Sequence, residues 1–464
     1  MKVTATPEPH PASFRDPSGF LFIRDGRLFR QVNQRYAKDY EHLLESGLYD
    51  DLVEDGLLVS HAESDESAAV PEIAFKIIEP EPIPFISYPY EWCFSQLRDA
   101  ALVTLAVQRK AIDHGMSLKD ASAYNVQFQA GRPLLIDTLS FEFLREGEPW
   151  VAYRQFCQHF LAPLALMSYV SIELGTLLRT HIDGVPLELA SQLLPRRTQL
   201  NLSLLVHIHW HASAQRRFAG KSTRQPRQGR RMDLNALRGL VDNLESAVRK
   251  LKWEPGQSAW ADYEQTHAYS ESAWRDKRRL TEEFLDEVRP DSVWDLGANV
   301  GSFSRLASER GIRTVAFDFD PGAVELNYRK VRDEGETYLL PLVMDLTNPS
   351  PALGWEHRER ASLENRGPAS AVFALALVHH LAISNNVPLE KLACFLARLG
   401  DFLLIEFVPK EDPQVQRLLI SREDIFTEYH SDGFEAAFGS HFEILRSDPV
   451  GDSGRLFYRM KRLA

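Results

Sequence analysis

Three successive apolar runs in the second half of this chain each end in an aspartate, and this pattern strongly constrains the fold. The runs are SVWD, TVAFD and YLLPLVMD, which end at Asp295, Asp318 and Asp345. Helix-compatible sequence separates them, and such alternation predicts a mostly parallel sheet with helices on both faces. Ligands bind sheets of this kind at the carboxyl ends of the strands, so the three aspartates stand where a ligand is expected.

A turn containing two glycines, LGANVGSFS, follows the first run. Gly297 and Gly301 have no Cβ atom, so a ligand can lie against the backbone at the start of the next helix. Dinucleotide-binding proteins also place glycines here, but the strict G-x-G-x-x-G spacing is absent. On the next strand, the acidic side chain of Asp318 can accept hydrogen bonds from ribose hydroxyls.

The ordered series resembles the class I S-adenosylmethionine-dependent methyltransferases. DLGANVGSFS is similar to their first motif, AFDFD to their second and VMD to their third, and the resemblance covers about residues 260–464. It implies a C-terminal Rossmann-like doubly wound sheet in which Asp318 holds the ribose and Asp345 the adenine. It further implies cofactor contacts from the first motif: Asp295, Gly297, Asn299 and Gly301. A domain of this fold that has lost its activity is the alternative, because fold alone does not establish chemistry.

The fourth apolar run, AVFALALVHHL, contains His379 and His380 near its carboxyl end. Imidazole titrates near neutrality, so either side chain could act as a general base, with a structural histidine as the alternative. Many family members have a polar residue near Ala374, and its absence here removes the usual clue to the acceptor. Four further residues are pocket candidates: Tyr269, Arg422, Asp424 and Tyr429. For the three that follow the fifth strand, ordinary helix-start charges are the alternative.

A second acidic constellation lies in the first half of the chain, in SLKDASAYNVQFQAGRPLLIDT. Asp120, Asn125 and Asp137 have the spacing at which phosphotransferases place a catalytic Asp, a metal-binding Asn and a metal-binding Asp. A hairpin that turns at Asp25-Gly26, a helix, a strand, the hinge-like YPYEW and a long helix precede them. This is the general order of a protein-kinase-like fold, and the segment is similar to kinase and aminoglycoside-phosphotransferase catalytic loops.

The kinase resemblance implies an α+β N-terminal domain that binds Mg-ATP. Asp120 would be the base-like residue, and Asn125 and Asp137 would be metal ligands. The segment departs from the kinase pattern. Leu118 stands where those families usually have His, and the ATP-binding lysine has no clear match, because Arg30 is a poor substitute for it. The alternative is a polar turn between a helix and a hairpin, capped by Asp and Asn side chains.

A resemblance to a further family covers most of the chain. YNVQFQAGRPLLIDTLSFE, with EGEPWVAYRQFCQHFLAPLAL after it, resembles the N-terminal half of the methyltransferases related to the nodulation protein NoeA. This resemblance favours a methyltransferase and implies a glycan or related metabolite as the acceptor.

The HIHWH segment contains His207, His209 and His211. On a strand the three side chains would share one face and could bind a metal, whereas on a helix they would spread around the cylinder. No carboxylate or cysteine stands nearby, so we predict no metal site.

Length and charge limit the remaining choices. A chain of 464 residues predicts several domains, and its net charge of −12 argues against a nucleic-acid binder. The basic run AQRRFAGKSTRQPRQGRRMD reads as a linker that could dock an acidic partner. The predicted parts are a disordered lead-in (1–16), an N-terminal domain (17–215), a basic, helical linker (216–260) and a methyltransferase domain (261–464).

The cellular setting follows from cysteines and hydropathy. Three cysteines far apart in sequence indicate a reduced cytoplasm. The apolar run from Phe160 contains Pro163 and Glu173, which favours buried helices over a membrane span. The patterns together predict a cytoplasmic enzyme that transfers a methyl group to a small molecule or glycan. The rival hypothesis is a nucleotide-binding regulatory protein, or a phosphotransferase acting through the N-terminal domain.

Overall fold

The computed structural model describes residues 9–211, 232–256, 270–420 and 422–463. The chain forms two compact units: unit 1 comprises residues 1–253 and 354–360, and unit 2 comprises residues 254–353 and 361–464. The division after residue 253 differs from the predicted linker, because the helix Leu234–Lys250 packs within unit 1 against the helix Phe94–Asp113. Residues 212–231, which include most of the basic run 214–233, lie outside the described residues.

Unit 1 contains an antiparallel four-stranded sheet with the strand order β1-β2-β4-β3. Its strands are β1 (Gly19–Arg24), β2 (Arg27–Asn33), β3 (His61–Ser64) and β4 (Ala74–Pro80). Asp25 and Gly26 form the predicted hairpin turn, with φ of 50° and 77°. The edge strand β3 is short and partly exposed, and the sequence analysis did not predict it.

The N-terminal lead-in differs from the prediction over residues 9–16. Pro9 forms a bridge with Phe22, and the backbone N–H of His10 donates to the carbonyl of Leu21 at 2.6 Å. The lead-in therefore pairs with β1 at residues 9 and 10, and residues 1–8 lie outside the described part of the chain.

Helices and two small strand pairs complete unit 1. The helices are α1 (Ala37–Glu45), α2 (Leu48–Glu54), α3 (Phe94–Asp113), α4 (Tyr153–Phe156), α5 (Ala162–Tyr169), α6 (Leu177–Thr180), α7 (Leu187–Leu193), α8 (Leu202–Leu204) and α9 (Leu234–Lys250). The pairs are β5 (Met116–Leu118) with β8 (Phe141–Phe143), and β6 (Val126–Gln129) with β7 (Arg132–Leu135). Gly47, with φ of 79°, separates α1 from α2. The predicted α+β architecture is confirmed, and the kinase-like fold stays a prediction.

One short segment of unit 1, residues 354–360, is flanked in sequence by unit 2 on both sides. Glu359 is 4% exposed and accepts a hydrogen bond from the guanidinium of Arg15. The Arg360 guanidinium carbon lies 4.2 Å from the ring centroid of Tyr124. An ion pair and a cation–π contact therefore tie this segment to unit 1.

Unit 2 is built on a seven-stranded sheet with the order β11-β10-β9-β12-β13-β15-β14. The strands are β9 (Ser292–Leu296), β10 (Arg313–Asp318), β11 (Leu339–Val343), β12 (Ala369–Ala374), β13 (Gly400–Phe407), β14 (Phe442–Pro449) and β15 (Leu456–Arg462). Strands β9 to β13 are parallel, and β15 pairs antiparallel with both β13 and β14. This is the strand order of the class I methyltransferase fold, so the predicted doubly wound sheet is confirmed.

The helices of unit 2 alternate with these strands. They are α10 (Glu271–Val288), α11 (Ser304–Ser308), α12 (Pro321–Glu334), α13 (Leu389–Leu399), α14 (Pro413–Leu419) and α15 (Ser431–Gly439). Helix α10 is capped at its N-terminus by Ser270, whose side chain accepts from the N–H of Ala273. Its apolar residues Leu280 and Phe284 pack in a core with Phe373 of β12. This packing covers one face of the sheet and leaves the carboxyl ends of the strands for a site.

The apolar run from Phe160 is divided between a π-helical turn, helix α5 and a 3-10 segment at Ile172–Thr176. In the described ranges no helix is long and apolar enough to cross a membrane. Cys93 and Cys157 are buried free thiols, and Cys394 is also free.

Candidate functional site

The carboxyl ends of β9, β10 and β11 bring the three predicted aspartates to one edge of the sheet in unit 2. Asp295 pairs in register with Ala316 of β10, and Asp318 pairs with Val343 of β11. Asp345 lies just beyond the end of β11. The pattern of runs ending in aspartate therefore predicted the position of these side chains correctly.

Asp318 is a buried hydrogen-bond acceptor at the end of β10. It is 6% exposed, and its oxygens accept from the backbone N–H groups of Asn299 at 2.7 Å and Asp320 at 2.9 Å. Burial raises the pKa of Asp318 to about 6, although these hydrogen bonds act in the opposite direction. A carboxylate has about four lone-pair sites, so Asp318 retains capacity for hydroxyl donors of a ligand.

Asp295 is the second buried carboxylate of this edge. It is 1% exposed, and the hydroxyl of Ser304 donates to it at 2.6 Å. Burial raises the pKa of Asp295 to about 6, while the Ser304 hydrogen bond and the charge of Lys277 partly oppose the rise. The side chain is therefore fixed beneath the glycine-containing turn by its neighbours.

The turn after β9 has the backbone conformation that its glycines predicted. Gly297 and Gly301 have φ of 79° and 82°, and Asn299 has φ of 51°. A Cβ atom on Gly301 would lie 2.5 Å from the Asn327 amide, and one on Gly297 would lie 3.4 Å from Leu377. Gly301 therefore lacks both the space and the backbone conformation for a side chain, whereas Gly297 has ordinary van der Waals space and favours glycine through its positive φ. Bare backbone beside two buried acids fits the ribose and amino-acid parts of S-adenosylmethionine.

Asp345 differs from the other two acids because it is exposed. One of its oxygens accepts from the backbone N–H of Thr347 at 2.8 Å and from the Thr347 hydroxyl at 2.7 Å. Its other oxygen is available to a ligand amino group at the open end of the edge.

His379 and His380 follow β12 at the same edge, after Ala376, a non-glycine residue with φ of 53°. Their ring centroids are 4.2 Å apart. His379 is 2% exposed, and its Nδ1 atom has no hydrogen-bond partner among the described residues. Burial, with the nearby charges of His380, Arg455 and Lys277, lowers the pKa of His379 well below its usual value. Burial and Arg455 also lower the pKa of His380. Both rings are therefore neutral near pH 7.

A buried ion-pair network lies close to His379, and the sequence analysis did not predict it. The Lys277 ammonium donates to Glu406 at 2.8 Å, and Arg455 lies 3.4 Å from Glu406 and 2.8 Å from Asp412. All four residues are at most 6% exposed. The partners come from α10, β13 and the segments beside it, so no local motif marks them.

Three other predicted pocket residues have partners within unit 2. Arg422 donates to the backbone carbonyl of Ile383, Asp424 pairs with Lys410 at 2.8 Å, and the Tyr429 hydroxyl donates to a backbone carbonyl at 2.8 Å. These contacts give the three side chains structural roles. One further candidate lies outside the described residues: Tyr269.

In unit 1 the structure brings Asp120, Asn125 and Asp137 together. Asp120 accepts hydrogen bonds from Gln155 at 2.8 Å and from the side chain of Asn125. Burial raises the pKa of Asp120, and the nearby charge of Asp137 adds to the rise. Asn125 also donates to Ser140 at 3.2 Å. The spacing therefore identified a real cluster, which we call the acidic loop: Asp120, Asn125 and Asp137.

Both oxygens of Asp137 are engaged by protein groups. Arg30 lies 2.7 Å from one oxygen, which also accepts from the N–H of Leu139 at 2.9 Å, and the Ser140 hydroxyl donates to the other at 2.7 Å. Burial acts to raise the pKa of Asp137, but Arg30 and these hydrogen bonds outweigh it and lower the pKa. The described residues hold no cluster of three or more His, Cys, Asp or Glu side chains suited to a metal. Mg-ATP binding is therefore not supported.

The HIHWH histidines lie in and just after a π-helical turn, Leu205–Trp210. His207 hydrogen-bonds to Tyr153 and Asn243, both at 2.7 Å. His209 lies between two hydroxyl groups at 2.8 and 3.0 Å. The side chains of His207 and His209 are therefore occupied by separate structural contacts.

No protein-family model matches this chain. The chain is 35% identical to the nodulation protein NoeA of Rhizobium meliloti (strain 1021), over 99% of this chain and 98% of NoeA.

Several solved structures are similar to part of the chain. One is magnesium protoporphyrin IX methyltransferase (ChlM) from Synechocystis PCC 6803 with bound SAM, at 16% identity over 45% of this chain and 86% of that chain, with a TM-score of 0.30. Another is the bifunctional kinase-methyltransferase WbdD, at 15% identity over 46% of this chain and 45% of that chain, with a TM-score of 0.31. The N-methyltransferase NodS from Bradyrhizobium japonicum WM9 is 10% identical over 42% of this chain and 99% of that chain, with a TM-score of 0.31. At these identities and TM-scores the likenesses assign no substrate or cofactor to this chain.

Proposed function

The chain belongs to the family of the nodulation protein NoeA, and from this premise we propose that it is an S-adenosylmethionine-dependent methyltransferase. One observation carries the proposal: a sheet with class I methyltransferase strand order bears a buried aspartate at the end of each of its first two strands, beside a glycine-containing turn. Fold alone does not assign chemistry, but this edge has the donors and acceptors that the cofactor requires.

The roles at the cofactor site follow from the geometry of the edge. Asp318 would accept hydrogen bonds from the ribose hydroxyls, and Asp345 would meet the adenine amino group. The amino-acid part would lie over the turn formed by Gly297, Asn299 and Gly301, with Asp295 beneath it. When bound, the cofactor supplies an activated methyl group on a sulfonium.

His379 and His380 would act on the acceptor. Their neutral rings can accept a proton from a hydroxyl or ammonium group, and a positioned base typically contributes 10²–10⁴-fold to the rate. The buried network around Glu406 would hold charge near His379 fixed, so that little reorganisation accompanies proton transfer. Most of the remaining rate enhancement would come from holding the acceptor in line with the methyl group.

The acceptor that we propose is a small molecule or a glycan, and this rests on the family resemblance. The reduced cytoplasm fits the free thiols of the described cysteines. A kinase-like fold for unit 1 and an acidic partner for the basic run of residues 214–233 also stay proposals. The phosphotransferase alternative is not carried forward, because Asp137 already has an internal cation partner.

Calorimetric titration of the full chain with S-adenosylhomocysteine tests the cofactor assignment. We expect saturable binding that is weakened by Asp318→Ala and unchanged by Asp291→Ala, which removes an exposed carboxylate just before β9. Loss of binding in both variants, or in neither, would contradict the assignment.

A transfer assay then tests the activity. Full chain and methyl-labelled S-adenosylmethionine are incubated with small-molecule and glycan fractions of a cell extract, and labelled products are identified by mass spectrometry. We expect a product whose formation falls by at least about 100-fold in His379→Ala or His380→Ala. Binding without transfer to any fraction would indicate a cofactor-binding protein without methyltransferase activity.

A further inference from the structure

The acidic loop of unit 1 gathers the ligand types that hard divalent cations prefer. Asp120 and Asp137 supply carboxylates, and Asn125 supplies an amide oxygen. Mg²⁺ and Mn²⁺ bind such oxygens. The two carboxylates are close enough for the charge of Asp137 to raise the pKa of Asp120. Two like charges in one cluster call for a cation between or beside them.

That cation is provided by the chain itself. Arg30 is 8% exposed, and its guanidinium lies 2.7 Å from a carboxylate oxygen of Asp137. Arg30 belongs to β2, an inner strand, and pairs in register with Ile78 of β4. The sheet therefore fixes the position of this arginine, and its charge cannot leave the cluster through a loop movement.

Arg30 is held beside Asp137 by the attraction of opposite charges, and not by hydrogen bonds from every N–H group of its guanidinium. Its Nε atom is buried and has no hydrogen-bond partner among the described residues. Lys119 supplies a second positive charge that acts on Asp137. A divalent ion would therefore have to displace a buried guanidinium in order to bind.

We propose that the Arg30 guanidinium takes the place of a divalent cation in the acidic loop, so that unit 1 works without a metal. The oxygens of Asp120, Asn125 and Asp137 form a latent cation site that opens when the guanidinium is removed. This proposal concerns unit 1 alone and does not depend on the methyltransferase activity of unit 2.

Titration of the full chain with MnCl₂, followed by calorimetry and by the electron paramagnetic resonance signal of free Mn²⁺, tests the proposal. Any Mn²⁺ binding by the wild-type chain should be unchanged in Asp137→Asn. Arg30→Gln, which keeps the stem of the side chain and removes its charge, should gain one site with at least tenfold higher affinity than any wild-type site. The double variant Arg30→Gln/Asp137→Asn should lose this site.

Arg27→Gln is the matched control, since Arg27 lies on the same strand but its side chain is exposed and pairs with Glu79. It should bind Mn²⁺ as the wild type does. Circular dichroism checks the fold of each variant, and Arg30→Met carries the same test if Arg30→Gln does not fold.

Two results would overturn the proposal. Wild-type binding of Mn²⁺ that disappears in Asp137→Asn would show that Arg30 does not exclude a metal. A folded Arg30→Gln or Arg30→Met chain without a new Mn²⁺ site would show that the three oxygens do not form a latent site. If neither Arg30 variant folds, the wild-type titration against Asp137→Asn decides whether unit 1 is free of metal.

Discussion

Each unit of this chain gathers carboxylates at the ends of strands, but the two units compensate their charge differently. In unit 2, Asp295 and Asp318 are surrounded mainly by hydroxyl and backbone donors, and burial raises the pKa of each to about 6. In unit 1, Asp137 lies against Arg30, and its pKa is lowered. Acids at strand ends therefore reach opposite electrostatic states: the pKa of Asp137 is lowered by its cation, whereas the pKa values of Asp295 and Asp318, like that of Asp120 in unit 1, are raised by burial.

The difference shows what separates a site that awaits a ligand from one that is already filled. A buried acid without a fully compensating cation is costly, and donors from a ligand can relieve that cost. A buried acid with an internal cation has its partner already and gains little from a ligand. The partner of each acid, more than the acids themselves, decides which unit presents a binding site.

The largest effect is expected where unit 2 also has internal compensation. Glu406→Ala removes the acceptor of Lys277 and a partner of Arg455, both of them buried. We expect unit 2 to lose about 3–5 kcal/mol of stability, because uncompensated charges stay buried. Hydrogen exchange of unit 2 peptides and thermal unfolding measure the loss. Glu443→Ala, which removes an exposed carboxylate on β14, should change stability little; equal losses in the two variants would contradict the account of the network.

A smaller effect on binding distinguishes the acids of the two units. Asp318→Ala should weaken S-adenosylhomocysteine binding by about 10- to 100-fold, because charge-assisted hydrogen bonds contribute roughly 1.5–3 kcal/mol. Asp137→Ala should leave that affinity unchanged and destabilise unit 1 instead, because Arg30 loses its partner. Calorimetry at pH 7.5 and hydrogen exchange measure the two outcomes. An equal loss of affinity in both variants would break the comparison.

The pH dependence of binding should follow the raised pKa values in unit 2. Hydroxyl donors favour an ionised acceptor, and Asp318 ionises around pH 6. Affinity for S-adenosylhomocysteine should therefore rise about tenfold between pH 5 and pH 7, since one pKa unit corresponds to about 1.4 kcal/mol. Calorimetry across this range, with Asp318→Asn as the control that lacks the rise, measures the effect.

Stability should depend on pH with opposite signs in the two units. The folded chain holds the Asp318 proton more tightly than the unfolded chain, whose pKa is near 3.8, so this contribution is present at low pH and lost as pH rises through about 6. The Asp137 contribution is present above the unfolded pKa and lost as pH falls through its lower folded pKa. Differences between wild type and Asp318→Asn or Asp137→Asn, measured by chemical unfolding at each pH, isolate the two terms; slopes of the same sign would refute the assignment.

The smallest effect concerns the segment of unit 1 that is flanked by unit 2. Arg360→Ala removes the cation–π contact with Tyr124, and we expect unit 1 to lose about 0.5–1 kcal/mol. Arg358→Ala, an exposed neighbour, is the control. Hydrogen exchange of peptides around Tyr124 should be faster in Arg360→Ala and unchanged in Arg358→Ala. Unchanged exchange in Arg360→Ala would show that the cation–π contact does not stabilise unit 1.

The sequence predicted those features in which local residues carry the information. Strands ending at Asp295 and Asp318 could be read from apolar runs, and the turn conformation of Gly297 from the absence of a side chain. The Asp25-Gly26 hairpin followed from turn chemistry in the same way. Where one segment determines the outcome, the pattern of residues was sufficient.

Features that depend on partners far apart in the chain were not predictable. The sequence analysis considered Arg30 only as a substitute for a lysine, and its pairing with Asp137 depends on the register of β2 and the path of the loop. Lys277 and Glu406 are 129 residues apart in sequence, and only the fold brings them to 2.8 Å. Long-range ion pairs leave no periodic signal in the sequence, so the electrostatic state of each site had to come from the structure.

The segment 354–360 has a consequence for how the chain is made. During synthesis, residues 1–253 leave the ribosome well before this segment, which follows only after residues 254–353. Arg15 and Tyr124 must therefore wait for Glu359 and Arg360 while most of unit 2 is still being translated. Unit 1 cannot reach its final packing as an independent N-terminal module, and a gene cut anywhere between residues 253 and 354 would separate it from part of itself.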